Sequence, residues 1–244
     1  MKKNEIKNNS VDWEKYWKDY RKVDHLDPDA LFYQVGKTVN GKPISKDLLK
    51  LMVIDIIESL QLDHHDVLID MCCGNGLITL PLSSSVKYIY AFDFTEHLIN
   101  SAIKLNHASN IEYVVGDVND EFYKFFTLFE KPSKILMNDS LGYFSSDNLR
   151  DLLKYIINEV GLFNFYITGV PNDNLKWNFY NTEERRSRYL DCVERGDIAH
   201  DGIGNWWNPD EIKKMCDELG LRFLINNQPG VLSNYRSNVL IINE

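Results

Sequence analysis

The stretch Val67–Leu82, VLIDMCCGNGLITLPL, constrains this chain more than any other. An apolar run, Val67-Leu68-Ile69, ends in an acid, Asp70. A Cys72-Cys73-Gly74-Asn75-Gly76 corner follows, and an amphipathic run opens at Leu77. This is the pattern of a buried strand, a tight turn and a helix start, which places a pocket at the carboxyl end of a parallel strand. Gly74 and Gly76 have no β-carbon, so the backbone can bend sharply and a flat ligand can lie against it. The N–H groups that open the next helix point at that ligand.

The run from Asp70 to Gly76 resembles motif I of the class I S-adenosylmethionine-dependent methyltransferases, acid-x-Gly-x-Gly-x-Gly, with Cys72 in place of the first glycine. A dinucleotide fingerprint needs a third glycine three residues after Gly76, where Thr79 stands, so an NAD-dependent oxidoreductase is the weaker reading. The resemblance implies an α/β fold: a Rossmann-like three-layer sandwich around a seven-stranded, mostly parallel sheet with an antiparallel last strand. It implies S-adenosyl-L-methionine as cofactor and S-adenosyl-L-homocysteine as product. Asp70, Cys72, Gly74, Asn75, Gly76 and Leu77 are then cofactor-binding.

Later corners fall in the same order. The second strand, Lys87 to Asp93, ends in an acid able to accept both ribose hydroxyls, with Phe94 against the adenine face. The bland alternative makes Asp93 the cap of the helix Thr95–His107. After a third strand at Ile111–Gly116, Asp117 and Val118 take the adenine-amino position, unless Asp117 is only a turn residue. The fourth strand, Ser133–Asn138, runs into Asp139-Ser140-Leu141-Gly142-Tyr143-Phe144. By resemblance Asn138 and Ser140 meet the methionine part, and Asp139 orients or deprotonates an acceptor.

The remaining segments complete the order of parts. Trp13, Tyr16, Trp17 and Tyr20 recur at helical spacing within Val11–Arg21, which marks either a helix docked by its aromatic face or a lid. Ser45–Leu60 and Ser146–Glu159 read as amphipathic helices, Asn119–Phe129 as an aromatic-rich one, and Asn208-Pro209 starts another that ends at Gly220. Strands follow at Leu162–Val170, Leu221–Asn226 and Tyr235–Ile242. Residues 1–45 are read as an N-terminal helix and lid segment, and 46–244 as the methyltransferase domain, with a substrate-cap insertion at about 171–206. Tyr33, Lys37, Tyr143, Trp206 and Trp207 are candidate substrate contacts. The run Glu183–Arg188 is either a solvated helix face or a binding site for an anionic acceptor.

An alcohol acceptor needs a base. Of the six histidines, His200, beside Asp201 in the insertion, is the candidate, with Asp139 as runner-up. The expected reaction is O-methylation of a small molecule: a sugar, a glycan precursor or a secondary metabolite. The alternatives are N- or C-methylation of a metabolite or protein, and a non-catalytic adenosyl-binding subunit. Lys+Arg 27 against Asp+Glu 36 gives a net charge of −9, which disfavours nucleic acid as substrate. No apolar run reaches the ~18 residues of a membrane span, MKKNEIKNNS lacks a signal-peptide h-region, and no metal-ligand spacing stands out. Four dispersed or adjacent cysteines fit a reducing cytoplasm better than a disulfide framework. The acceptor and the oligomeric state stay open, a homodimer among the options.

Overall fold

The computed structural model describes residues 12–20, 26–27, 30–39, 41–118, 131–195, 202–229 and 231–244. Seven strands form one sheet: β1 (Val67–Met71), β2 (Tyr88–Asp93), β3 (Ile111–Val115), β4 (Lys134–Asn138), β5 (Phe163–Pro171), β6 (Arg222–Asn227) and β7 (Arg236–Asn243). Their order is β3-β2-β1-β4-β5-β7-β6. The first five are parallel, and β7 runs antiparallel to both β5 and β6.

Side-chain alternation along these strands sorts the core into two layers. Register aligns Ile69, Ile135, Phe165 and Ile241 across four strands on one face. That face packs against Leu149 and Leu153 of helix α4 (Ser146–Glu159) and Ile212 and Met215 of helix α6 (Pro209–Glu218). The opposite face presents Leu68, Leu136 and Tyr166 to Met52, Val53 and Ile56 of helix α2 (Lys46–Leu60). Fully burying a side chain of this size contributes about 1.5–3 kcal/mol. The two rows together account for the sheet's place in the middle.

Local signals set the helix ends. Ser45 Oγ accepts from Leu48 N–H at 3.2 Å to start α2, and Asn208 caps α6 with Pro209 at its first position. Ser145 and Asn148 form a reciprocal capping box on α4. The helix after the first corner is shorter than an ordinary core helix: one turn, Thr79–Leu82, runs into a 3-10 turn at Ser83–Ser85.

Helix α1 spans Trp13–Asp19. A helical turn at Leu31–Gln34 and a ribbon pairing Thr38–Val39 with Lys42–Pro43 precede α2. Helix α3 is Glu96–Leu105 and α5 is Glu183–Glu194. The charged run in α5 is exposed along its length. Arg185 and Arg186 donate to the carbonyls of Phe179 and Tyr180 at 3.2 and 2.9 Å, which is the solvated-face reading. The expected helix at 119–129 lies outside the described residues, as do His25, His200 and Asp201.

The topology has one consequence for the site. The carboxyl tips of β1–β5 share an edge, and an antiparallel β7 delivers its amino end to that edge, with Arg236 opposite Pro171. No helix among the described residues is long and apolar enough to cross a membrane.

Candidate active site

A cavity of about 410 Å³ opens at that edge, within the size range of small-molecule sites. Its floor is the first corner. Cys72 has φ +58° and Gly74 φ +58°. The left-handed region costs a non-glycine residue roughly 1–2 kcal/mol, so Cys72 performs a glycine's turn under strain. Burial pushes both the Cys72 and Cys73 thiols well up from their ordinary value, so they stay protonated. Gly76 has φ +75°, and a Cβ there would meet Tyr113 Oη at 2.3 Å.

Asn75 belongs to the scaffold as well as the wall. Its Nδ2 donates to Leu31 O at 2.9 Å and Gln34 Oε1 at 2.8 Å, and its Oδ1 accepts from Leu77 N–H at 3.2 Å. Its carboxamide therefore ties the N-terminal segment to the corner.

Asp93, at the tip of β2, lines the cavity. Its Oδ2 accepts from Gly74 N–H at 3.0 Å and its Oδ1 from Thr95 N–H at 2.8 Å. It thus caps the next turn and braces the first corner while facing the cavity. Burial raises its pKa, against these N–H bonds. Phe94, Asp117 and Val118 continue the wall beyond β2 and β3, and Asn138, Asp139 and Ser140 continue it beyond β4.

Asp139 sits at φ +55°. Its Oδ2 is paired with Lys37 Nζ, and Arg236 Nη1 stands 3.7 Å from its Oδ1. Burial opposes ionisation, but the Lys37 and Arg236 charges outweigh it and hold the carboxyl below its ordinary value. A carboxylate held this way is a weakened base, and its contacts hold Lys37 and Arg236 together at the cavity wall. Gly169 makes room for it, since a Cβ there would lie 1.5 Å from Asp139 Oδ1.

The roof is aromatic. Trp13 and Trp17 of α1 approach Tyr143 with ring centroids at 4.7 and 5.5 Å, and Tyr16, Tyr20, Val35 and Tyr235 also face the cavity. Gly202 and Ile203 close one side. Gly204 packs so tightly on the β4 loop that a Cβ there would lie 2.2 Å from Gly142 O.

Two solved structures share this layout. The magnesium protoporphyrin IX methyltransferase of Synechocystis PCC 6803 with bound SAH superposes with a TM-score of 0.59, at 13% identity, over 95% of this chain and 99% of that one. The DhpI–SAM–HEP complex superposes with a TM-score of 0.60, at 11% identity, over 96% and 98%. The chain has the class I methyltransferase fold. Sequence relatives match over part of the chain. A probable cobalt-precorrin-6B C(15)-methyltransferase of Methanococcus vannielii is 28% identical over 95 residues, 38% of this chain and 49% of that protein. An uncharacterized RNA methyltransferase of Nostoc is 37% identical over 70 residues, 27% and 15%. The chain spans about half the length of the first of these curated relatives. No protein-family model matches it.

Against the methyltransferase layout, several expected contacts sit elsewhere. Trp207 is 5% exposed, and its Nε1 donates to Leu141 O at 3.0 Å, so it is core under the β4 loop and not a substrate contact. Trp206 packs among Phe179, Tyr180 and Tyr235, outside the cavity wall. Tyr33 is on the helical turn before the cavity-lining segment Val35–Thr38 and does not reach the wall. Asp70 and Gly76 lie beneath the floor. Among the described wall residues there is no histidine. Arg236, Tyr235 and the α1 aromatics Trp13, Tyr16 and Trp17 are among the wall residues that no cofactor or acceptor assignment had covered.

Asp70 yields a pH test. Burial raises it from 3.8 to about 7, aided by Asp93 and opposed by the Thr79 Oγ1 donor at 2.6 Å. With a folded pKa above the unfolded one, its contribution to stability is complete below about pH 4 and is lost as pH climbs through about 7. Asp70→Asn stays neutral throughout. Its melting temperature relative to the wild type should rise steadily between pH 4 and pH 8; a pH-independent difference would contradict the assignment.

Proposed function

We propose that this chain transfers a methyl group from S-adenosylmethionine to a small-molecule acceptor, with oxygen as the receiving atom. The observation that carries the reading is Asp93: a buried carboxylate at the tip of β2, held by two backbone N–H groups and facing the cavity above the glycine corner. A carboxylate so fixed suits the vicinal hydroxyls of a ribose. Phe94, Asp117 and Val118 beside it would take the adenine, and Asn138 and Ser140 the methionine portion.

The bound cofactor supplies an electrophilic methyl carbon on a sulfonium. The chain's own contribution is position and dryness. Trp13, Trp17 and Tyr143 exclude water from the acceptor side. Asp139 holds Lys37 and Arg236 together at the acceptor side, and those two cations fix the polar end of an acceptor so that its oxygen meets the methyl in line. The solved relatives with SAH and SAM bound support the cofactor, and the acidic net charge supports an acceptor other than nucleic acid.

Titration calorimetry tests the first step. The purified chain should bind S-adenosylmethionine and S-adenosylhomocysteine with micromolar affinity and leave NADH unbound. Binding of NADH without either adenosyl thioether would overturn the reading.

A further inference from the structure

The charges around the cavity are segregated along the sheet. Asp93 and Asp117 lie at the tips of β2 and β3. Lys37, Asp139 and Arg236 gather beyond β4 and at the start of β7, two or more strand steps from β2, about 10 Å or more at ~4.8 Å per step. Two cations share one carboxylate there, which leaves a net positive charge in a largely buried place: the side chains of Lys37 and Arg236 are 10% and 17% exposed. Burying an uncompensated charge is costly, and sites that retain one commonly complete it with a ligand. Glu14, also on the wall, is paired with Lys18.

Arg236 is built to be kept in place. Nη1 donates to Gly169 O at 2.5 Å, and 3.7 Å to Asp139 Oδ1 is an attraction too long for a hydrogen bond. A guanidinium has five N–H donors in a planar fork, and such a fork matches an oxoanion two bonds at a time. The Trp13–Trp17–Tyr143 cluster supplies an apolar face in the same cavity.

We infer that the methyl acceptor is an oxoanion, a carboxylate or phosphonate on an apolar body, gripped by Arg236 with Lys37 beside it. This rests on the methyl-transfer reading above. It also accounts for the chemistry of the wall, where Asp139 is a weak base and burial raises the Tyr143 hydroxyl above its ordinary pKa. An ionised acceptor oxygen already carries its lone pair. It attacks the methyl carbon as the carbon–sulfur bond breaks; the bonding pair stays on sulfur, which departs as a neutral thioether, and no proton moves. The product is a methyl ester.

The probes are benzoate and phenylphosphonate against neutral benzamide, titrated into protein saturated with S-adenosylhomocysteine and read by tryptophan fluorescence. The anions should bind at least tenfold tighter than benzamide. Arg236→Gln should reduce that preference below threefold, Arg236→Lys should keep part of it, and both should hold S-adenosylhomocysteine within twofold of wild type. Circular dichroism melts establish that both variants fold. Equal binding, or none, of anions and benzamide overturns the inference. So does an Arg236→Gln variant that loses S-adenosylhomocysteine tenfold but keeps carboxylate-free 5′-methylthioadenosine, because the guanidinium then serves the cofactor's own carboxylate. Failure of the wild type to bind S-adenosylhomocysteine is a separate result: it removes the methyl-transfer reading, and the anion preference is then judged on the protein alone.

Discussion

Asp93→Asn should weaken S-adenosylhomocysteine binding about a hundredfold while the protein stays folded. A carboxylate that accepts two ribose hydroxyls makes two charge-assisted bonds, each contributing roughly 1.5–3 kcal/mol. An asparagine keeps one acceptor and turns a donor toward the other hydroxyl. A loss of about 3 kcal/mol is a hundredfold in affinity, at ~1.4 kcal/mol per tenfold. The folded state is less affected for a definable reason. Burial raises the Asp93 pKa, so its ionisation works against folding as pH rises through the folded value. A neutral side chain at pH 8 removes that cost and forfeits one of the two N–H bonds from Gly74 and Thr95. Calorimetry and thermal melts on the same preparation separate the effects. Affinity within threefold of wild type, in a variant that melts normally, would remove Asp93 from the cofactor site.

The parts of this layout that sequence reasoning could reach are those encoded within a few residues. The β1 corner was legible because an apolar strand, an acid and two glycines are contiguous, and Ser45 and Asn208-Pro209 mark helix starts by their own chemistry. The strands at the tips were legible because each ends in a polar residue after an apolar run. Arg236 was not, since its place depends on β7 pairing with β5 across more than sixty residues of chain, and local pattern carries no record of that pairing. The Asn75 clamp on Leu31 and Gln34 is hidden for the same reason. Trp207 shows a second limit. An aromatic beside a pocket and an aromatic beneath it look alike in sequence; the burial of Trp207 and its Nε1 bond to Leu141 O distinguish them. The α1 spacing did carry a signal, but amphipathicity states that a face is covered without stating what lies under it.

Gly169→Ala is expected to cost about 3 kcal/mol of stability or more, and the loss should depend on Asp139. The glycine has φ +66°, and a Cβ would fall 1.5 Å from Asp139 Oδ1, 2.6 Å from its Cγ and 3.2 Å from its Cα. Left-handed backbone alone costs an alanine roughly 1 kcal/mol. The remainder comes from overpacking, typically about 1–3 kcal/mol, because a Cβ would displace the Asp139 carboxylate that is paired with Lys37. A displaced Asp139 strands the Lys37 and Arg236 charges, which adds to the cost. Asp139→Gly supplies the control. It deletes Oδ1 and Cγ, and a glycine tolerates the φ of +55° at that position. The single Asp139→Gly variant loses stability through the unpaired lysine, so the informative quantity is the cycle. Gly169→Ala should cost about 1 kcal/mol in the Asp139→Gly background, against about 3 kcal/mol in the wild type, a coupling near 2 kcal/mol. Urea unfolding of the four proteins measures it. Equal costs in the two backgrounds would show that the alanine is rejected by its backbone conformation alone, and that Gly169 does not make room for the carboxylate that pairs with Lys37.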